Sequence, residues 1–315
     1  MIKKLKIWIT GPNGMVGSAI IRKIKFKKNF KLLTVNRKKM DLLNQKQVLA
    51  WVKKNKPDIV IMTAAKVGGI YANDNYPAEF IYENLQIQNN IINASKKNNV
   101  KKLIFLGSSC IYPRNCKQPI KEKFLLDGKL EKTNQWYAIA KIAGIKMVQA
   151  YRKQYSCNFI SLMPCNMYGP GDNYDELNSH VLASLIKKFF LAKKNNKDFV
   201  EVWGNGKPLR EFMHVDDFAD AVLFAMRKYN SDTPLNVGTG NELTIAKLAT
   251  LISKLVNYKG KILYNKKFPN GTPRKILDSS LIRSLGWRPK IKIKDGIKKT
   301  LKHFAHESNS NNSSK

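Results

Sequence analysis

The feature that most constrains the fold is a glycine-spaced turn close to the beginning of the chain. Gly11 and Gly14 lie between a short apolar run, 5–10, and a helical pattern over 15–24, and Gly17 lies in the first turn of that helical pattern. In a dinucleotide-binding turn the first two glycines let the backbone bend and approach a diphosphate, and the third lets the helix pack closely. The helix N-terminus adds N–H donors and a positive electrostatic end. Any tight strand-to-helix turn can carry glycines, but the order strand, turn, helix favours a dinucleotide site.

The first half of the chain alternates between two kinds of pattern. Apolar runs at 30–35, 58–63, 102–106 and 159–163 alternate with helical patterns at 46–55, 77–98 and 137–154. This alternation is typical of parallel βαβ units. We therefore predict an α/β protein with a Rossmann-type, doubly wound parallel sheet and a smaller C-terminal substrate-binding lobe. The predicted division is a Rossmann domain at 1–165, joined by 215–240, a lobe at 166–214 and 241–306, and a disordered tail at 307–315.

The net charge of +35 raises nucleic acid and anionic membranes as partners. Lysines, however, greatly outnumber arginines and are spread along the whole chain, whereas phosphate or base readout favours clustered arginine. We therefore expect no specific nucleic-acid partner, although the positive field should help to capture anionic nucleotides.

The sequence indicates neither a membrane span nor a metal site. No apolar run is long enough to cross a bilayer, and the segment at 7–10 is too short for a signal peptide. The four cysteines form no CxxC pair and have no neighbouring histidine cluster, which argues against zinc. We expect a cytoplasmic protein with reduced thiols.

The end of the second predicted strand bears on the choice of dinucleotide. NAD sites place a carboxylate there for the ribose 2′-hydroxyl, but this chain has Arg37 within the cationic stretch 36–39. A cationic cluster suits a 2′-phosphate, so the sequence favours NADP(H), with Asp41 and Leu42 beside the adenine. The alternative interpretation is that the cationic stretch 36–39 is only a solvated loop of a basic protein.

Three residues indicate hydride-transfer chemistry. Ser108 follows the predicted strand at 102–106, at the sheet edge where open α/β folds bind ligands. Tyr137 and Lys141 are four residues apart on a predicted helix and therefore share one face. We expect the lysine ammonium to lower the pKa of the phenol, so that Tyr137 exchanges a proton with a carbonyl or hydroxyl oxygen while Ser108 hydrogen-bonds it. A YxxxK spacing arises by chance in a lysine-rich chain. Chance does not readily explain its combination with the glycine turn and with a serine at the end of a strand.

The chain resembles the GDP-L-fucose synthases, which are extended short-chain dehydrogenase/reductases, over all but the C-terminal tail. The matching segments are 14–20 (GMVGSAI), 64–70 (AAKVGGI), 105–113 (FLGSSCIYP), 137–146 (YAIAKIAGIK), 178–181 (NSHV), 210–217 (REFMHVDD) and 271–275 (GTPRK). The resemblance implies an oxidoreductase and isomerase that uses NADPH to convert GDP-4-keto-6-deoxy-D-mannose to GDP-L-fucose. It implies Cys110 as the base and His180 as the acid of 3,5-epimerisation, with Tyr137 as the proton donor in 4-reduction.

The resemblance also implies the remaining site residues and a partner. Cofactor contacts are expected from Gly11, Pro12, Asn13, Gly14, Met15, Val16, Gly17, Arg37, Asp41, Leu42, Leu106, Gly107, Ser108, Ser109, Lys141, Pro164, Cys165, Asn166, Met167 and His180. Substrate contacts are expected from Lys188, Trp203, Arg210 and Asn270. A homodimer is expected through a four-helix contact made by the helices that begin near Pro77 and Tyr137.

The chain departs from the family pattern at three positions. Asn13 stands where these enzymes often carry an arginine for the 2′-phosphate, Cys165 replaces a threonine, and Asn270 replaces an aspartate. Two other functions compete with the first interpretation. Another nucleotide-sugar 4-epimerase or 4,6-dehydratase would not need Cys110 and His180, and a non-catalytic NADP-binding protein would not need Ser108 and the Tyr-Lys pair.

Overall fold

The computed structural model describes residues 4–268 and 270–312. Six parallel strands form its central sheet, in the order β2-β1-β3-β4-β5-β9. These strands are β1 (Leu5–Ile9), β2 (Phe30–Leu33), β3 (Ile59–Met62), β4 (Lys102–Leu106), β5 (Phe159–Pro164) and β9 (Leu235–Val237). The order reverses beside β1, as in a doubly wound sheet, and the predicted Rossmann-type α/β fold is confirmed.

Helices cover both faces of this sheet. They are α1 (Met15–Ile24), α2 (Gln45–Asn55), α4 (Pro77–Lys97), α5 (Gln135–Tyr155) and α7 (Val215–Lys228). Helix α1 packs against α7, whereas α4 packs against both α2 and α5. Every residue of β3, β4 and β5 is buried, because a parallel strand between two helical layers has no solvent-facing side.

A smaller lobe lies beyond the carboxyl ends of the sheet strands. Its strands are β6 (Asn166–Tyr168), β7 (Phe199–Trp203), β8 (Leu209–His214), β10 (Glu242–Thr244), β11 (Lys261–Asn265) and β12 (Arg274–Lys275). Its helices are α6 (Val181–Lys194), α8 (Ile245–Val256) and α10 (Ile293–Asn312), whereas the short helices α3 (Ile70–Asn75) and α9 (Ser280–Ser284) contact α4 and β9 of the larger part. Strand β8 pairs with β10, β12 and β6, and β7 pairs with β11. A second apolar core, which includes Ile186, Phe189 and Leu248, supports this lobe.

The chain crosses between the two parts more than once. After β8, helix α7 packs on α1, and β9 adds to the edge of the central sheet beside β5. Helix α10 extends to Asn312 and so includes 307–312 of the predicted tail. Residues 313–315 of the predicted tail lie outside the described residues.

Candidate active site

One cavity of about 1070 Å³ opens between the carboxyl edge of the central sheet and the smaller lobe. All of the residues predicted for catalysis, cofactor binding and substrate binding line it. The fold thus brings together residues as far apart in the sequence as Gly11 and Asn270.

The glycine turn lines the end of this cavity that is predicted to hold the cofactor diphosphate. A Cβ on Gly17 would lie 1.8 Å from the carbonyl oxygen of Gly11, so the contact between helix and turn excludes any side chain. A Cβ on Gly14 would meet only that oxygen, at 3.8 Å, and otherwise point into open space. Gly14 caps α1 without a side-chain hydrogen bond, and the first turn of α1 carries no acidic residue. These features fit an anionic diphosphate held by backbone N–H groups.

The end of the cavity predicted to hold the adenine lies beside β2. Arg37 is exposed there, and Asn13 is exposed on the facing turn. The neighbouring backbone is held in place: the carbonyls of Leu42 and Leu43 both accept from the amide of Asn90 on α4. Of the predicted cations at 37–39, Arg37 lines the cavity, and Asn13 offers it an amide instead of a charge.

The predicted Ser-Tyr-Lys group is assembled by β4 and α5. Ser108 immediately follows β4 and Gly107, and its Oγ accepts from the backbone N–H of Cys110 at 3.2 Å. Lys141 is 5% exposed, and its Nζ donates to the carbonyl of Leu106 at 2.8 Å. That Nζ lies 5.8 Å from the centroid of the Tyr137 ring. Burial lowers the pKa of Lys141 to about 8.

The predicted lowering of the Tyr137 pKa is wrong for this structure. Burial raises the pKa of Tyr137, the neighbouring Cys110 acts electrostatically in the same direction, and a side-chain hydrogen bond with Ser108 opposes them. A low-dielectric environment disfavours the charged form of a phenol. The net direction is upward although the ammonium of Lys141 lies nearby, with its Nζ bonded to the Leu106 carbonyl.

Cys110 and His180 approach the cavity from opposite parts of the fold. Cys110 lies in the short 3₁₀ turn Ser109–Ile111 after β4, and its Sγ is 3.6 Å from Nζ of Lys275. His180 is the N-cap residue of α6, where its side chain makes no capping hydrogen bond. The imidazole is exposed to the cavity, but the surrounding protein walls desolvate it and lower its pKa.

The predicted substrate residues cluster in the smaller lobe. Nζ of Lys188 donates to the carbonyl of Glu201 at 3.0 Å and lies 4.9 Å from the Trp203 ring centroid. Phe268 stacks on Trp203 with the ring centroids 4.2 Å apart. The guanidinium of Arg210 donates to the carbonyl of Asn270 at 3.4 Å. Two cations thus accompany an aromatic ring, a set that suits a nucleoside diphosphate.

The sequence analysis missed several cavity-lining groups. Lys275 lies in the family-matching segment 271–275, but no sequence spacing relates it to Cys110. Only the pairing of β12 with β8 brings the two residues together. Lys66 contacts Glu79 and Glu83 of α4, which ties the loop after β3 to that helix. Buried side-chain oxygens without a hydrogen-bond partner also line the cavity, on Asn73, Thr133, Asn134, Asn178 and Ser179. Such acceptors and hydroxyls suit a ligand rich in hydroxyl groups.

Two further features concern metals and membranes. Within the described residues, no group of three or more His, Cys, Asp or Glu side chains could hold a metal ion. The four cysteines are free. No helix in the described ranges is long and apolar enough to cross a membrane.

Comparisons with known proteins identify the family of this chain. The model of the NAD dependent epimerase/dehydratase family matches residues 7–238. GDP-L-fucose synthase 1 of Arabidopsis thaliana is 50% identical over 298 residues, which cover 95% of this chain and 92% of that protein.

Solved structures agree. A GDP-6-OMe-4-keto-L-xylo-heptose reductase from C. jejuni is 37% identical with a TM-score of 0.92, covering 98% of this chain and 99% of that one. A GDP-L-fucose synthetase from Naegleria fowleri bound to NADP is 27% identical with a TM-score of 0.89, covering 98% and 97%. The predicted resemblance is confirmed: the chain belongs to the NAD dependent epimerase/dehydratase family and, within it, to the GDP-L-fucose synthases.

Proposed function

We propose that this chain is an NADPH-dependent 3,5-epimerase and 4-reductase that converts GDP-4-keto-6-deoxy-D-mannose to GDP-L-fucose. The observation that carries the proposal is the convergence of two sets of groups in one cavity. Ser108, Tyr137 and Lys141 suit carbonyl reduction, and Cys110 with His180 adds the acid–base pair that reduction alone does not need.

Epimerisation requires proton transfer at the two carbons beside the C4 ketone. The thiolate of Cys110 takes a proton, so that a C–H bond breaks, an S–H bond forms and the electron pair moves into an enolate. The imidazolium of His180 donates its ring N–H proton to the opposite face of that carbon and becomes a neutral imidazole; proton exchange with solvent restores both side chains before the second carbon reacts. Hydroxyl donors on Ser108 and Tyr137 stabilise the negative oxygen of the enolate.

Reduction uses the other set of groups. When bound, NADPH supplies the hydride that goes to C4. Tyr137 donates its proton to the C4 oxygen, and its raised pKa keeps that proton in place at neutral pH. The backbone of the turn at Gly14 and Gly17 fits the cofactor diphosphate, and Arg37 fits its 2′-phosphate.

Substrate anchoring is assigned to the smaller lobe. Lys188 and Arg210 supply positive charge for the diphosphate of the GDP-sugar, and Trp203 and Asn270 contact its nucleoside part. Burial lowers the pKa of Lys188, so an incoming diphosphate would compensate a cation that is already partly desolvated.

We also propose a cytoplasmic homodimer formed through α4 and α5. These helices pack against each other, yet leave large side chains exposed on their outer surfaces: Tyr82 (62%), Trp136 (40%), Ile139 (39%) and Tyr155 (43%). Burying such a surface in a second copy would give a four-helix contact. Light scattering should then give twice the chain mass of 36.0 kDa, and Ile139→Glu should halve it. A monomeric wild type would refute the dimer.

The decisive test of activity uses GDP-4-keto-6-deoxy-D-mannose with NADPH in deuterated water. We expect NADPH oxidation and solvent deuterium at both C3 and C5 of the product, measured by NMR. Oxidation without deuterium would leave a plain 4-reductase, the activity named for the C. jejuni relative. Cys110→Ser should abolish the deuterium label more severely than it impairs hydride transfer.

A further inference from the structure

Lys275 lies against the sulfur that the proposed mechanism uses as a base. Its Nζ is 3.6 Å from Sγ of Cys110, and both residues line the cavity. Strand β12 runs parallel to β8 and pairs Lys275 with Arg210, so the register of this small sheet sets two cations side by side.

The backbone around Lys275 is firmly held. The N–H of Ile276 donates to the side chain of Gln118 at 3.0 Å, and its carbonyl accepts from Ile120 at 2.8 Å. The N–H of Leu277 donates to the buried carboxylate of Glu211 at 2.9 Å. Because both following residues are fixed, the ammonium is presented to Cys110 by the fold rather than by a mobile loop.

Other charged groups near the sulfur have different partners. The guanidinium of Arg210 lies within electrostatic range of Cys110 but donates to the carbonyls of Leu209 and Asn270. The carboxylate of Glu131 pairs with Arg114. The phenol of Tyr137 faces Cys110 from α5. The thiol of Cys116 also lies within electrostatic range of Lys275. In the described ranges, no carboxylate lies within ion-pair distance of Lys275, and its Nζ contacts the sulfur of Cys110.

We propose that Lys275 is a catalytic residue of the epimerisation, whose ammonium stabilises the thiolate of Cys110 until the sulfur accepts a proton from substrate carbon. This assignment rests on the proposed function. Lys275 exchanges no proton in this step: the proton moves from carbon to sulfur, and the electron pair moves into the enolate. The ammonium prepares the base and takes no part in hydride transfer.

The first test measures the sulfur directly and needs no substrate. The rate at which iodoacetamide alkylates Cys110 is followed by peptide mass spectrometry from pH 6 to pH 10 in wild type, Lys275→Met and Lys275→Arg. Removing a unit charge about 4 Å from the sulfur lowers the thiolate fraction, so Lys275→Met should slow alkylation at pH 7 by about tenfold or more. The rate should recover at high pH, and Lys275→Arg should stay close to wild type.

The second test measures deuterium exchange at C3 and C5 of the keto-sugar with NADP⁺ in place of NADPH. Lys275→Met should lower the exchange rate by about the same factor as alkylation. Lys247→Met removes an exposed lysine of α8 outside the cavity and should change neither rate. Thermal unfolding of each variant separates a charge effect from misfolding.

The outcomes separate this assignment from the proposed function. Unchanged alkylation in folded Lys275→Met would overturn the assignment, even if exchange fell, because the ammonium would then act on the substrate. Wild type that shows no exchange at all would refute the epimerase function, whereas the alkylation profile would still report whether Lys275 activates Cys110.

Discussion

Two substitutions in the glycine turn separate its structural role from its ligand-binding role. Gly17→Ala would place a Cβ 1.8 Å from the Gly11 carbonyl oxygen, although real Cβ atoms almost never approach closer than 3.0 Å. The turn and α1 must therefore separate by more than an ångström, and overpacking of this kind costs about 1–3 kcal/mol or more. Gly14→Ala meets nothing closer than 3.8 Å, and Gly14 has an ordinary φ of −74°. It should leave the stability of the cofactor-free protein unchanged.

The same Gly14→Ala change should weaken cofactor binding. Its methyl group projects into the cavity at the N-terminus of α1, where the diphosphate is expected to approach the backbone. Holding the diphosphate even slightly away from these N–H groups weakens one or two charge-assisted hydrogen bonds, each worth about 1.5–3 kcal/mol. We expect the Kd for NADPH to rise by about ten- to a hundredfold, measured by calorimetric titration.

Thermal unfolding without NADPH provides the comparison between the two variants. Gly17→Ala should lower both Tm and NADPH affinity, whereas Gly14→Ala should lower affinity alone. Unchanged NADPH affinity in Gly14→Ala would refute the placement of the diphosphate at this turn. Equal losses of Tm in the two variants would refute the argument from the Gly11 contact.

Three further substitutions test individual groups. Tyr137→Phe should reduce kcat for NADPH oxidation by about a hundredfold or more without changing the Kd for NADPH, and retention of kcat would remove Tyr137 as proton donor. Arg37→Ser should raise the Kd for NADPH about tenfold and leave that for NADH unchanged; equal effects on both would show that Arg37 does not read the 2′-phosphate. Lys102 is buried on β4, and burial lowers its pKa from 10.5 to about 8, so its protonated form destabilises the fold at pH 7. Lys102→Met should raise the free energy of unfolding at pH 7 by about 1–2 kcal/mol, after allowing for the lost hydrogen bond to the Tyr229 carbonyl. In urea titrations the gain should shrink as pH rises from about 8 to 10.5, and a gain independent of pH would contradict the charge argument.

The central sheet was predictable because its strands are buried on both faces. Such strands are short apolar runs, and the prediction at 102–106 coincides with β4. The short strands of the smaller lobe carry no comparable signal. Strand β12 is two residues long, Arg274–Lys275, and it exists because its backbone pairs with β8. Pairing between distant segments, rather than local periodicity, determines such a strand.

The same distinction applies to the site. Ser108 follows a strand and Gly14 precedes a helix that can both be predicted from the sequence, so the place of these two residues at the sheet edge could be predicted. Lys275 could not be placed against Cys110, because 164 intervening residues separate them and the contact depends on the register of β12 with β8. The resemblance gave Cys110 a role, but only the fold shows which cation accompanies it.

The correction at Tyr137 changes what the Tyr-Lys pair is expected to do. A lowered phenol pKa would suit a base that removes a proton from a hydroxyl, but reduction of a ketone needs a proton donor. Burial disfavours charge on both partners: it raises the pKa of Tyr137 and lowers that of Lys141 to about 8. Tyr137 therefore retains the proton that C4 reduction consumes. The phenolate that remains after transfer has the Lys141 ammonium close by, with Nζ 5.8 Å from the ring centroid. Because this attraction strengthens only as negative charge develops on Tyr137, Lys141 stabilises the reaction's later stages more than the resting enzyme.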